Sequence, residues 1–180
     1  DNVDVESLEG QDLETWKGAS KQVAESARKI AEAGSIKDAR AAFEGAGNGT
    51  ARLVHELGNP LDETLVIQKC PMAFGGKGAL WVQTGEKVEN PYYGRGANMF
   101  GCGVEQEKVE PASAAEGAGG EPAAGRASEL PGLADVMTAA LDLHEALVAG
   151  QLDPARKAAG AVADRIEKVD AEALEGENGR

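Results

Sequence analysis

Cys70-Pro71-Met72-Ala73-Phe74-Gly75-Gly76-Lys77-Gly78-Ala79-Leu80-Trp81-Val82-Gln83, then Asn90-Pro91-Tyr92-Tyr93-Gly94, then Met99-Phe100-Gly101-Cys102-Gly103: these three runs divide the chain. They hold both cysteines, two of the three methionines (Met72, Met99) and most of the aromatic rings, in a sequence only 4% aromatic. To either side the sequence is alanine-rich, acidic and helical in its periodicity. A plain helical bundle would scatter sulfur and rings through its core. Their concentration in one glycine-rich segment predicts a mostly α fold interrupted by a compact insert.

The segment is framed by Cys-x-Met at one end and Met-x-x-Cys at the other. Thiolate and thioether are soft, polarisable donors that suit Cu(I), with Ag(I) as a chemical mimic. Zinc prefers sets of thiolates and imidazoles, and hard cations prefer oxygen. Pro71 stiffens the Cys70–Met72 step because its φ is fixed. The same two cysteines also read as a structural disulfide. Closing a loop of roughly 33 residues stabilises by about 3–4 kcal/mol in the chain-entropy model. Free, buried thiols are a third reading, and methionine commonly fills gaps in cores. The residues alone leave these alternatives open.

Outward from the segment, helical periodicity dominates. Leu13, Trp16, Val23, Ala27 and Ile30 recur at helical spacing, predicting a helix over 11–33 with Gly34 as its stop. Ser35 with Asp38 is a capping-box-like start for a second helix over 36–57, closed by Gly58-Asn59-Pro60. Its interior Gly45, Gly47 and Gly49 predict a kink or a close crossing. Leu65-Val66-Ile67 and Ala79-Leu80-Trp81-Val82 read as short strands flanking glycine-rich turns. Residues 105–130 read as a linker by composition. Its stretch 110–130 spans about 25 Å as a flexible coil. Leu133, Val136, Met137, Ala140, Leu141, His144, Leu147 and Val148 share one face of a helix over 132–149. Asp153-Pro154 starts another, running to about 174. Trp81, Tyr92 and Tyr93 either fill the core or dry a metal pocket. His144 reads first as a satisfied core histidine, and His55 as a charge at the C-terminus of its helix.

The net charge of −13 argues against nucleic acid, which needs a cationic face. Residues 70–103 run against that trend, with Lys77, Lys87 and Arg95 against Glu86 and Glu89. The carboxylates elsewhere show no Asp-x-Asp-x-Asp-Gly loop and read as solvated helix faces. No run of 18 apolar residues predicts a membrane span. No leader pattern is read at the start, which fits a mature or truncated product. Neither Cys-x-x-Cys nor Gly-x-Ser-x-Gly occurs, so no enzyme is expected.

Cys70-Pro71-Met72, Lys77-Gly78-Ala79-x-Trp81, Glu89-Asn90-Pro91-Tyr92-Tyr93-Gly94 and Met99-x-x-Cys102-Gly103 together resemble a bacterial family of small helical domains. That family is a domain of unknown function found in periplasmic proteins and in adaptor subunits of copper/silver efflux pumps. The resemblance covers residues 66–104 closely and the flanking helices more weakly. It implies an extracytoplasmic, periplasmic module that binds Cu(I), with Cys70, Met72, Met99 and Cys102 at the sulfur positions. Lys69 departs from relatives that carry a histidine there. The order departs as well, since in the family a pair like 132–174 usually precedes a pair like 11–57.

The expected fold is mostly α: a four-helix up-and-down bundle with a compact Gly/aromatic-rich insert containing short β-strands. Residues 1–109 supply a helical pair and the sulfur segment, 110–130 a flexible linker, and 131–175 a second helical pair. That second pair completes the bundle within the chain (a permuted order) or in a domain-swapped dimer. The expected function is soft-metal binding in the cell envelope, for copper tolerance, delivery or efflux. Its partners would be the copper ion and efflux-system or copper-chaperone proteins. The alternative is a non-metal interaction module stapled by a Cys70–Cys102 disulfide.

Overall fold

The computed structural model describes residues 11–112 and 131–178. α1 (Gln11–Ala31) and α2 (Ile36–Leu57) form an antiparallel pair, since Ser26 meets Ala46 and Val23 meets Gly49. α1 buries Trp16, Ala19, Val23, Ala27 and Ile30, a stripe at the 3–4 spacing that drives an amphipathic helix into a core. α2 starts at the cap read from sequence. Ser35 Oγ accepts the Asp38 N–H at 3.1 Å and its hydroxyl donates to the Asp38 carboxylate at 2.7 Å. The helix closes at Gly58, whose N–H still donates to the Val54 carbonyl while its φ of 97° turns the following chain out of the helix.

Of the two readings of Gly45, Gly47 and Gly49, the close crossing holds, and α2 runs unbroken through them. A Cβ on Gly49 would stand 2.5 Å from Val23 Cγ2, and one on Gly45 3.0 Å from Ser26 Cβ. On Gly47 it would run into the Leu80 carbonyl and come within 2.6 Å of the Tyr92 hydroxyl. The small residues therefore let α1 approach one side of α2 and the sheet the other. Ser26 fixes the helix crossing: its hydroxyl donates to the Ala42 carbonyl and accepts the Ala46 N–H.

The insert is a three-stranded antiparallel sheet of β1 (Leu65–Cys70), β2 (Ala79–Thr84) and β3 (Val104–Val109), in the order β2-β1-β3. A single short helical turn, α3 (Ala73–Gly76), lies between β1 and β2. β3 corrects the reading of 105–109 as the start of a linker. Its residues Glu105, Gln106, Glu107 and Lys108 carry no apolar signature, yet β1 recruits them as an edge strand. Charges on an edge guard it against pairing with another chain. Just beyond, Pro111 bridges Asn59 and the Ala112 N–H donates to the Asn59 carbonyl at 3.2 Å. The rest of the predicted linker, 113–130, lies outside the described residues.

α4 (Pro131–Ala149) and α5 (Leu152–Asn178) follow, joined by a tight turn at Gly150. α5 begins one residue before the predicted Asp153 cap and runs a few residues past the predicted end. It packs antiparallel along α1: the Trp16 indole donates to Asp170 at 3.1 Å, and Arg156 reaches the Ala31 carbonyl at 2.9 Å. One core joins all these parts, from Trp16 and Ile30 through Phe43, Leu53 and Trp81 to Met137, Leu147 and Ile166. The protein is mostly helical with a small antiparallel sheet. Among the described residues no helix is long and apolar enough to cross a membrane.

Candidate functional site

Cys70 is the last residue of the central strand and is buried; Cys102 is half-buried, two residues before β3. Pairing of Lys69 with Val104 brings the two ends together, and the sulfurs stand 3.2 Å apart as free thiols. That is well beyond a disulfide bond of about 2.05 Å. One thiol hydrogen bonds the other sulfur instead.

The segment between β2 and β3 folds back over the sheet, and Asn90 organises it. This fully buried side chain donates to the Cys102 carbonyl at 2.6 Å and accepts the Tyr92 N–H at 2.9 Å. Its main chain bonds Phe100 and Gly94. In the sequence Asn90 is one letter of Asn-Pro-Tyr-Tyr-Gly and carries no assigned role. The signal was there, because asparagine ahead of proline favours side-chain-closed turns. Gln83 ties the near end of the segment, donating to the Gly85 and Lys87 carbonyls and accepting from Trp81 and Glu89.

The aromatic residues pack as a cluster beside the thiols. The Tyr92 ring meets Phe43, Phe74 and Trp81 at centroid distances of 5.6, 5.5 and 6.1 Å. Its hydroxyl donates to the Leu80 carbonyl, and burial pushes its pKa far above the usual tyrosine value. Trp81 and Tyr92 therefore fill the core. Tyr93 lies nearer the surface, with its hydroxyl donating to the Met72 carbonyl at 3.2 Å. Burial, and then the nearness of Cys70 and Cys102, raise its pKa.

Both methionines border the pair through their main chains. The Met72 N–H is directed at the Cys102 sulfur, and the Met99 carbonyl accepts the Cys102 N–H at 2.9 Å. Met72 is 55% exposed, and Met99 is half-buried. The Cys102 thiol is held above its ordinary pKa, chiefly by burial and then by the bond to Cys70 and its charge, with the Met72 N–H opposing. It is a protonated thiol at neutral pH.

The histidines stand elsewhere. His144 is buried, and its Nε2–H donates to the Glu89 carbonyl at 2.8 Å. It is the satisfied histidine expected on that helix face. His55 pairs with Glu107 on β3 at 2.6 Å. Among the described residues, no three His, Cys, Asp or Glu side chains gather in a metal-holding group. Met72 and Met99 thus adjoin the thiol pair through their main chains. No family model matches the chain, and no curated protein or solved structure is significantly similar to it.

Proposed function

We propose that Cys70 and Cys102, with Met72 and Met99 as the thioether donors carried by the adjoining backbone, bind a soft monovalent ion, Cu(I), for which Ag(I) is a mimic. One observation carries the reading: two reduced thiols from distant parts of the chain lie 3.2 Å apart, one buried and one half-buried. Sulfur donors of this kind select Cu(I) over harder ions. The set fits the ion in its chemistry, and the exposed Met72 gives it a thioether at the surface. Binding needs thiolates, so loading releases protons and weakens as pH falls. On the resemblance, the setting is the periplasm and the role is copper tolerance, delivery or efflux, with efflux-system or chaperone proteins as partners. The four long helices are read as one up-and-down bundle that holds the insert in place, in a monomer or a swapped dimer.

A second reading has its own support. The same 3.2 Å gap is short enough for oxidation to close, and secreted chains keep disulfides. The protein would then be a stapled, non-metal interaction module.

Anaerobic titration of the reduced protein with Cu(I) against a chromophoric competitor separates the two. The expected result is one ion per chain, lost in Cys70→Ser and in Cys102→Ser. Absence of competition by the reduced wild type ends the copper reading. A mass two hydrogens low under non-reducing conditions then identifies the staple.

A further inference from the structure

Gln68 stands on the central strand two residues before Cys70, hence on the same face of the sheet, and is 1% exposed. On that face Gln83 meets every need of its amide, through Trp81, Glu89, Gly85 and Lys87. Gln68 does not. Among the described residues, its Oε1 is the buried side-chain polar atom left without a hydrogen-bond partner. A buried acceptor with no protein donor is costly, and native folds hold few of them.

The oxygen lies against the segment that carries Cys102. A Cβ on Gly103 would stand 3.4 Å from Gln68 Oε1, 2.6 Å from Val88 Cγ1 and 2.9 Å from Trp81 Cη2. Only a glycine lets the backbone settle so closely on that face. The closed pair also leaves no room for an ion between its sulfurs. Two thiolates at a typical metal–sulfur bond of about 2.3 Å from a tetrahedral centre stand about 3.8 Å apart. Cys70 sits on a strand held on both sides, by β2 and by β3. The widening therefore falls on Cys102 and Gly103.

We propose that Gln68 is a positioning residue that makes the empty, closed thiol pair the costlier state. When the 102–103 segment lifts to admit the ion, Oε1 reaches a hydrogen-bond donor that it lacks while the segment is seated. The gain is made only in the loaded state, so it adds to affinity. This inference rests on the soft-ion reading and adds to it the residue that favours opening.

The test compares wild type with Gln68→Leu, which keeps the bulk and removes the orphan. The reduced, metal-free variant is expected to melt above wild type, and its Cu(I) affinity in the competitor titration to fall about tenfold. Unchanged affinity in the variant overturns the proposal, whatever its melting temperature. Should the variant not fold, NMR of the wild type decides. During anaerobic Cu(I) addition the Gln68 side-chain amide and the Gly103 backbone amide are expected to shift together. A Gly103 shift with Gln68 unmoved overturns the proposal. A wild type that binds no Cu(I) removes the parent reading, whereas a Gln68→Leu variant that binds as tightly as wild type removes only this one.

Discussion

His55 and His144 respond to pH with opposite sign, and each sign follows from what the ring touches. The hydrogen bond to Glu107 raises the pKa of His55, with burial opposing. A raised folded value stabilises fully below the unfolded value near ~6.5 and is lost as pH rises through the folded value. Both partners are well exposed, so the pair is worth about 0.2–1 kcal/mol. Glu107→Gln is therefore expected to cost more stability at pH 5.5 than at pH 8, measured by urea unfolding. Burial lowers the pKa of His144, with the Glu89 carbonyl and the charges of Glu89 and Glu145 opposing. There the unfolded chain binds the proton more readily, so stability falls as pH drops below ~6.5. His144→Gln, which retains a donor for Glu89, is expected to gain on wild type between pH 7 and pH 5. At Gly103, Ala would press on Val88 and Trp81, at a cost of about 1–3 kcal/mol in the same measurement.

At the scale of the element, α2 shows how far local signals reach. Its bounds follow from Ser35, the apolar spacing and Gly58, all local. Its glycines read as a kink or a close crossing, and the sequence did not say which, nor what crosses: Val23 on one side, the Leu80 carbonyl and Tyr92 on the other. Gly49→Ala is expected to destabilise by about 1–3 kcal/mol through Val23, seen as a lower thermal midpoint. Thirteen residues before that glycine, α2 begins at Ile36, and loss of its cap in Ser35→Ala should cost about 1 kcal/mol. β3 was illegible for the opposite reason. A charged edge strand has no preference of its own and exists because β1 offers it a ladder. α3 holds a further surprise, since Phe74 sits at φ 52°, a left-handed conformation that side chains rarely adopt. Its ring meets Tyr92 edge-on there, which ties the turn to the aromatic cluster.

For the molecule as a whole, the late helical pair is a part of the core and not an appendage. α5 lies along α1, and Met137, Leu143 and Ile166 share a cluster with Trp16, Phe43 and Leu53. Neither pair can bury its apolar stripe alone, and isolated helices of this length are marginal in water. A fragment of residues 131–180 is therefore expected to be largely unfolded by circular dichroism, gaining helix when mixed with residues 1–112. Since the four long helices contact one another within one chain, light scattering of the intact protein should report a monomer. A dimer that exchanges α4 and α5 would show instead that the helical pair packs on a neighbouring chain.

The sequence by itself determined where the long helices lie and how α2 and α4 end, since caps, periodicity and glycine stops act over a few residues; α1 instead ends at Ala31, short of Gly34, which is not in the left-handed region. It also gathered both cysteines and two of the three methionines in one short segment, which is what the soft-ion proposal starts from. Only the tertiary structure decided which sulfurs meet. The two thiols touch because β3 pairs with β1 and Asn90 folds the intervening segment, leaving Met72 largely in solvent. Likewise a glutamine in a strand is ordinary on the page; that its oxygen is buried without a partner depends on a backbone thirty-odd residues away settling against it. Contacts set by strand pairing and loop closure depend on the whole chain at once, so no local pattern encodes them.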